Sequence, residues 1–166
     1  MSGSPLVSLA IEGGVARLRL DNPPVNIMSA ALMDELSAHL ETIAADRSLV
    51  AVAVTAAGKA FCAGADVGEH RPAQAPAMIA AFGRLFRRLD ALEVPVVMAV
   101  QGAALGAGFE LALMADILLA GEDATFGQPE IRLGFFAPVG VVVLPQLVGR
   151  ARALETEPMS AEDFVI

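Results

Sequence analysis

Residues 95–110 read Pro95-Val96-Val97-Met98-Ala99-Val100-Gln101-Gly102-Ala103-Ala104-Leu105-Gly106-Ala107-Gly108-Phe109-Glu110. The short apolar run at 95–100 predicts a buried strand. Three glycines and three alanines follow between 102 and 108. A helix is expected from Glu110 to Asp116. Strand, small-residue turn and helix in that order make half of a βαβ unit, so the expected fold class is α/β with a mainly parallel sheet.

The pattern repeats upstream. Residues 49–55 form a second valine-rich run, expected as a strand buried on both faces, and a small-residue loop at 56–66 follows it. Val15–Leu20 alternates apolar and polar residues, the period of a half-buried strand, and Asp21-Asn22-Pro23-Pro24 stops it. Ser29 is a suitable N-cap for a helix whose apolar face is Leu32, Leu36, Leu40 and Ile43. A polar loop at 68–76 carries Glu69, His70 and Arg71. A second amphipathic helix is expected over 78–92, with Arg84, Arg87 and Arg88 on its solvent side. Downstream, the sequence predicts a short strand at 117–120, a loop-rich stretch at 125–140 and a helix at 141–148 ending at Gly149. We divide the chain into a core over 1–150 and the start of an incomplete helical segment over 151–166, where Pro158 interrupts one helix and Ser160 opens another.

The composition narrows the function. The chain has 166 residues, 55% of them hydrophobic, with 11 basic and 19 acidic side chains and a net charge of −8. One domain with a sizeable core is expected, and disorder is excluded. The acidic balance argues against a nucleic-acid binder, which needs a basic stripe. Cys62 alone makes no internal disulfide, and with only His39 and His70 it makes no zinc site. The N-terminus shows no secretory pattern and the uncharged interior stretches, 94–109 among them, are too short to span a bilayer, so no membrane association and a cytoplasmic location are expected.

Two places can carry chemistry. Both small-residue loops follow the carboxyl ends of strands, where open α/β sheets bind ligands. The loop before Glu110 opens a helix whose first N–H groups can stabilise an anion, or an oxygen that becomes one. The competing reading is tight helix–sheet packing. Gly102-Ala103-Ala104-Leu105-Gly106-Ala107-Gly108 lacks the dinucleotide spacing. Cys62 is expected to be a buried structural thiol rather than a nucleophile. Glu110 lies within an apolar helix and Glu130 between apolar neighbours. Two such carboxyls facing one pocket could hold a water and exchange protons with it; otherwise each is exposed or salt-bridged. Asp66 and Asp116 are expected to be loop or cap residues.

Three motifs in order then carry a resemblance: Gly58-Lys59-Ala60-Phe61-Cys62-Ala63-Gly64-Ala65-Asp66, the 95–112 segment through Glu110-Leu111-Ala112, and Ala124-Thr125-Phe126-Gly127-Gln128-Pro129-Glu130-Ile131-Arg132-Leu133-Gly134. Over about 15–155 the chain resembles the enoyl-CoA hydratase (crotonase) superfamily. The resemblance implies a ββα-superhelix spiral core. It also implies an oxyanion hole from the backbone N–H groups of Ala63 and Ala107, which would polarise an acyl-CoA thioester, and a catalytic pair, Glu110 toward water and Glu130 toward carbon. A CoA-lining segment is implied at Ala63, Gly64, Ala65 and Asp66. It further implies an acyl-CoA as substrate, no metal or separate cofactor, and a homotrimer or dimer of trimers. Asp66-Val67-Gly68-Glu69-His70-Arg71-Pro72 and Leu133-Gly134-Phe135-Phe136-Ala137-Pro138-Val139 look most like hydratases of cyclic dienoyl-CoA, such as cyclohexa-1,5-diene-1-carbonyl-CoA, with Phe135 and Phe136 as candidates to pack on a ring. Both glutamates together argue against a double-bond isomerase and against a non-catalytic CoA-binding subunit. Two departures stand out. The family's usual three glycines are Gly106-Ala107-Gly108, and the family's C-terminal helical cover is missing or incomplete. Arg71, Arg84 and Lys59 are candidates for the CoA phosphates.

Overall fold

The computed structural model describes residues 4–154 and the backbone of 159–160. A five-stranded sheet runs in the order β1 (Val7–Glu12), β2 (Val15–Leu20), β3 (Ala51–Ala56), β4 (Val96–Val100), β6 (Ile117–Ala120). The hairpin β1–β2 is antiparallel, from Val7 opposite Leu20 to Glu12 opposite Val15. Every later pairing in the sheet is parallel. The sequence reading passed over β1, although Val7, Leu9 and Ile11 alternate and Gly13-Gly14 ends the run. Both glycines have positive φ, as a two-residue hairpin turn requires.

Helices α1 (Ala30–Ala45), α2 (Ala75–Asp90) and α3 (Ala107–Leu113) lie in the crossovers between the parallel strands. Ser29 caps α1 as expected, its hydroxyl accepting from the Leu32 N–H at 3.2 Å. Leu32, Leu36, Leu40 and Ile43 are buried. They meet α2, whose Met78, Ala81, Leu85, Phe86 and Leu89 are also buried. Arg84 reaches Asp34 at 2.7 Å and Arg88 pairs with Glu41 across the outer edge of the two helices. Removing Ala16, Leu18, Leu20, Val52, Val54, Val96 and Met98 from water at about 25 cal/mol per Å² makes this interior the main source of stability.

Strand β3 departs from expectation. Val52 and Val54 are buried, but Ala51 and Ala53 are half-buried and Thr55 is exposed. The strand is covered fully on one face only, and alanines occupy the other. At the sheet edge, Ile117 and Leu119 of β6 are exposed.

A second small sheet sits beyond the carboxyl end of β4. Its order is β5 (Ala103–Leu105), β7 (Thr125–Gly127), β8 (Met159–Ser160). Pairing is parallel for β5–β7 and antiparallel for β7–β8. Strands β5 and β7 fall in stretches expected to be loop. Three residues carry no period, and the pairing of Ala104 with Phe126 is a tertiary event. The loop-rich stretch also holds a 3₁₀ turn, Pro129–Leu133. Helix α4 (Gly140–Ala153) breaks where predicted: Gly149, at φ 78°, is non-helical inside it. The expected boundary at residue 150 falls inside α4. The remainder of the 151–166 segment lies mostly outside the described residues. Among those residues, no helix is long and apolar enough to cross a membrane.

Candidate active site

Helix α3 starts at Ala107, three residues earlier than expected, because Gly106 ends β5 with φ 51° and ψ −123°. A side chain is rarely tolerated in that conformation. A Cβ there would also stand 3.2 Å from Glu130 Oε2. At Gly108 a Cβ would fall 2.2 Å from the Cys62 carbonyl oxygen. The glycines at 106 and 108 therefore serve two ends. They pack the α3 head against the 57–66 loop, and they let the Glu130 carboxyl lie over the helix start. Tight packing, one of the two alternatives posed in the sequence, is met at Gly108. The methyl of Ala107 is buried between them.

The 57–66 loop is fixed from below. Asn26, buried and at φ 53°, donates from Nδ2 to the carbonyls of Ala57 and Ala60 at 2.8 and 2.9 Å. Cys62 bridges to Ala104, and Met28 bridges to Ala65. The Cys62 thiol is buried and its pKa is pushed up to about 11 by desolvation, so it is an inert structural group. Of the two residues expected as loop or cap, Asp66 is a cap and Asp116 a loop residue. Asp66 Oδ1 accepts from the Gly68 N–H at 2.7 Å, and Asp116 Oδ2 from the Val96 N–H at 2.8 Å.

One expected feature does not hold. The Ala63 N–H is not free, because it donates to the Val25 carbonyl at 3.0 Å. The Pro-rich stretch before α1 folds back under the loop and takes that donor. Two residues on, the geometry differs. The Met28 N–H donates to the Gly64 carbonyl, and the Asp66 N–H to the Met28 carbonyl. In an extended segment the intervening Ala65 N–H then points the other way. Among the described residues the N–H groups of Ala65 and Ala107 have no acceptor.

Glu110 is 2% exposed. Its Oε1 accepts the N–H groups of Val139 and Gly140, at 2.7 and 2.9 Å, and so ties α3 to the start of α4. Burial raises its pKa to about 7 and the neighbouring Glu130 adds to the rise, against the lowering effect of the two N–H donors. Glu130 is also shifted up by burial. Both carboxyls are thus raised above the ordinary carboxylate range, Glu110 partly by the charge of Glu130.

Glu130 lines a half-open hollow of about 190 Å³ together with Gln128, Phe135, Phe136 and Gly140. Its Oε2 and both amide atoms of Gln128 are buried with no hydrogen-bond partner among the described residues. Buried polar atoms normally have partners, so such a set among residues that line a hollow makes it a candidate ligand site. Gln128 was missed in the sequence. Its only signal was a polar residue just after the apolar β7. Gly140 makes room for it, since a Cβ there would come within 2.8 Å of Gln128 Nε2. Phe135 and Phe136 are 51% and 68% exposed and flank the hollow rather than joining the core. Of the proposed phosphate contacts, Arg84 is held by Asp34, whereas Lys59 and Arg71 are exposed.

The sequence and the fold recur in known proteins. The chain is 42% identical over 157 residues to the cyclohexa-1,5-dienecarbonyl-CoA hydratase of Thauera aromatica, covering 92% of this chain and 59% of that one. It superposes on an enoyl-CoA hydratase subunit of Geobacillus kaustophilus with a TM-score of 0.85 and 34% identity, over 95% of this chain and 64% of that one. On Pseudomonas aeruginosa DspI the TM-score is 0.91 at 29% identity, over 98% and 65%. The chain therefore spans about three-fifths to two-thirds of the length of these relatives. The sequence pattern of the enoyl-CoA hydratase/isomerase family matches residues 10–164, which takes in both small-residue loops and both glutamates. The chain belongs to the enoyl-CoA hydratase/isomerase family.

Proposed function

We propose that this chain carries the catalytic region of a hydratase that adds water to a conjugated enoyl- or dienoyl-CoA thioester. The observation that carries this reading is the pair of carboxyls, Glu110 within the head of α3 and Glu130 lying over Gly106, both with pKa values raised by burial. In the proposed chemistry the thioester oxygen accepts the N–H groups of Ala107 and Ala65, the donor at 65 replacing the one first expected at 63. Each such donor contributes about 3–4 kcal/mol to stabilising an enolate oxygen. Glu110, deprotonated, takes a proton from water as its oxygen bonds to the β-carbon. Glu130, protonated, delivers its proton to the α-carbon as the enolate collapses. The Glu130 carboxyl lies over Gly106, next to the Ala107 donor, which supports its acting on the carbon adjoining the carbonyl. Turnover leaves a proton on Glu110 and none on Glu130, and exchange with water restores the starting state.

Ala63, Gly64, Ala65 and Asp66 are the proposed lining for CoA, which arrives as part of the substrate, so no separate cofactor is invoked. A cyclic dienoyl-CoA is the preferred acyl class. The 42% identity to a dienecarbonyl-CoA hydratase and the two phenylalanines at the hollow support it. A homotrimer or dimer of trimers is the proposed assembly. The test is mass spectrometry of CoA thioesters after incubation with the full chain. Cyclohexa-1,5-diene-1-carbonyl-CoA is expected to gain one water faster than crotonyl-CoA. Preference for crotonyl-CoA overturns the acyl class, and hydration of neither overturns the activity.

A further inference from the structure

The loop after the proposed CoA-lining segment and the turn carrying Glu130 are far apart in sequence, yet they touch through one pair of rings. The His70 and Phe135 centroids are 5.5 Å apart, with their planes at 60°. His70 is held before it makes that contact. It ends the 3₁₀ turn Val67–His70, which Asp66 caps. Glu69 in the same turn accepts the N–H of Ala30 at 2.8 Å, at the start of α1. The His70 Nδ1 lies 2.9 Å from the Asp66 carbonyl oxygen. A carbonyl can only accept, so Nδ1 carries the proton and the ring is fixed in orientation. Phe135 is held at its backbone only, its N–H donating to the Glu130 carbonyl at 3.1 Å, while its ring lines the hollow and is half exposed. An exposed aromatic ring has little to fix its rotamer except a neighbour, and the neighbour here is His70.

We propose that His70 is a positioning residue that sets acyl-group selectivity by holding the Phe135 ring at the mouth of the hollow, where a flat cyclic acyl group stacks and a short linear one does not. This rests on the hydratase reading for the identity of the ligand class. The contact itself is worth about 2- to 10-fold in affinity, the range of a single aromatic pair.

The experiment is calorimetric binding of two unreactive thioesters, the flat cyclic benzoyl-CoA and the linear butyryl-CoA, to the full chain and to His70→Leu, Phe135→Leu, the double variant and His70→Phe. His70→Leu is expected to weaken the cyclic ligand about 2- to 10-fold and leave butyryl-CoA unchanged. Phe135→Leu should do the same, and the double variant should lose no more than Phe135→Leu alone, because the histidine acts only through the phenylalanine. His70→Phe, which keeps an edge-on ring, should restore much of the preference. Equal weakening of both ligands, or additive losses in the double variant, overturns the proposal. Its fate is separable from that of the activity. A chain that hydrates neither substrate but loses cyclic preference in His70→Leu disproves the hydratase and keeps the selectivity device.

Discussion

The wall formed at the head of α3 and the mouth of the hollow beside it are built on opposite principles. At the wall, Glu110 is buried and bonded to two N–H groups, and Gly106 and Gly108 admit no side chain. At the mouth, Phe135 and Phe136 are more than half exposed, and one histidine braces one ring. The wall spends burial on raising carboxyl pKa values, which is useful only for proton transfer. The mouth offers apolar surface to whatever arrives. On the proposed function, reaction type belongs to the rigid part and substrate class to the adaptable part, so changes in the two regions should fail in different ways.

The sharpest way to break the wall is to remove a proton carrier without disturbing its bonds. Glu110→Gln keeps an oxygen to accept from Val139 and Gly140, and Glu130→Gln keeps the shape over Gly106. Each should lower the hydration rate by about 10²- to 10⁴-fold while leaving the affinity for butyryl-CoA within a few-fold. Steady-state rates and calorimetry on the same preparations check this. A rate loss matched by an equal loss of affinity would make the glutamates binding groups rather than proton carriers.

The second effect concerns stability. The Glu110 pKa is about 7 when folded against an ordinary 4.5. A raised folded pKa means that the folded chain binds the extra proton. Its contribution to stability is therefore fully present below about pH 4.5 and is lost as pH rises through about 7. For a buried group the full difference is roughly 3 kcal/mol. Urea midpoints should fall between about pH 5 and about pH 8, and Glu110→Gln should flatten most of that slope. The remainder belongs to Glu130, whose shift has the same sign. A Glu110→Gln chain with an undiminished slope would show that the buried carboxyl is not the source.

The two regions also differ in how far the sequence discloses them. Val15–Leu20 alternates with period two and is a strand to the residue, and Ser29 ahead of Leu32 and Leu36 fixes the start of α1. Glu110 stood out because a carboxyl among Phe109, Leu111 and Leu113 is costly unless it is used. What failed depended on partners far along the chain. Ala63 looked available until Val25 was found to take its N–H, and Ala104 looked like loop until Phe126 came beside it. Phe135 and Phe136 reach the hollow through the path of the 3₁₀ turn, which no local pattern shows. The His70 contact has no local sign at all, because nothing within four residues of His70 predicts a ring at position 135.

The smallest effect separates function from stability most directly. Both amide atoms of Gln128 are buried without partners among the described residues, as is Glu130 Oε2. An unmet buried amide costs about 1–3 kcal/mol. Leucine is close to glutamine in size and has no unmet polar atoms. Gln128→Leu should therefore raise the urea-derived stability by about 1 kcal/mol, with an unchanged denaturant slope. The same change should slow hydration, because the amide is left to meet a polar substrate group or the attacking water next to Glu130. Gain of stability with loss of rate identifies the amide as held in strain for the ligand. If stability falls instead, the amide has a structural partner, and the wall is less committed to chemistry than its glutamates imply. A chain that gains stability and keeps its rate would confine the catalytic wall to Glu110, Glu130 and the two backbone donors.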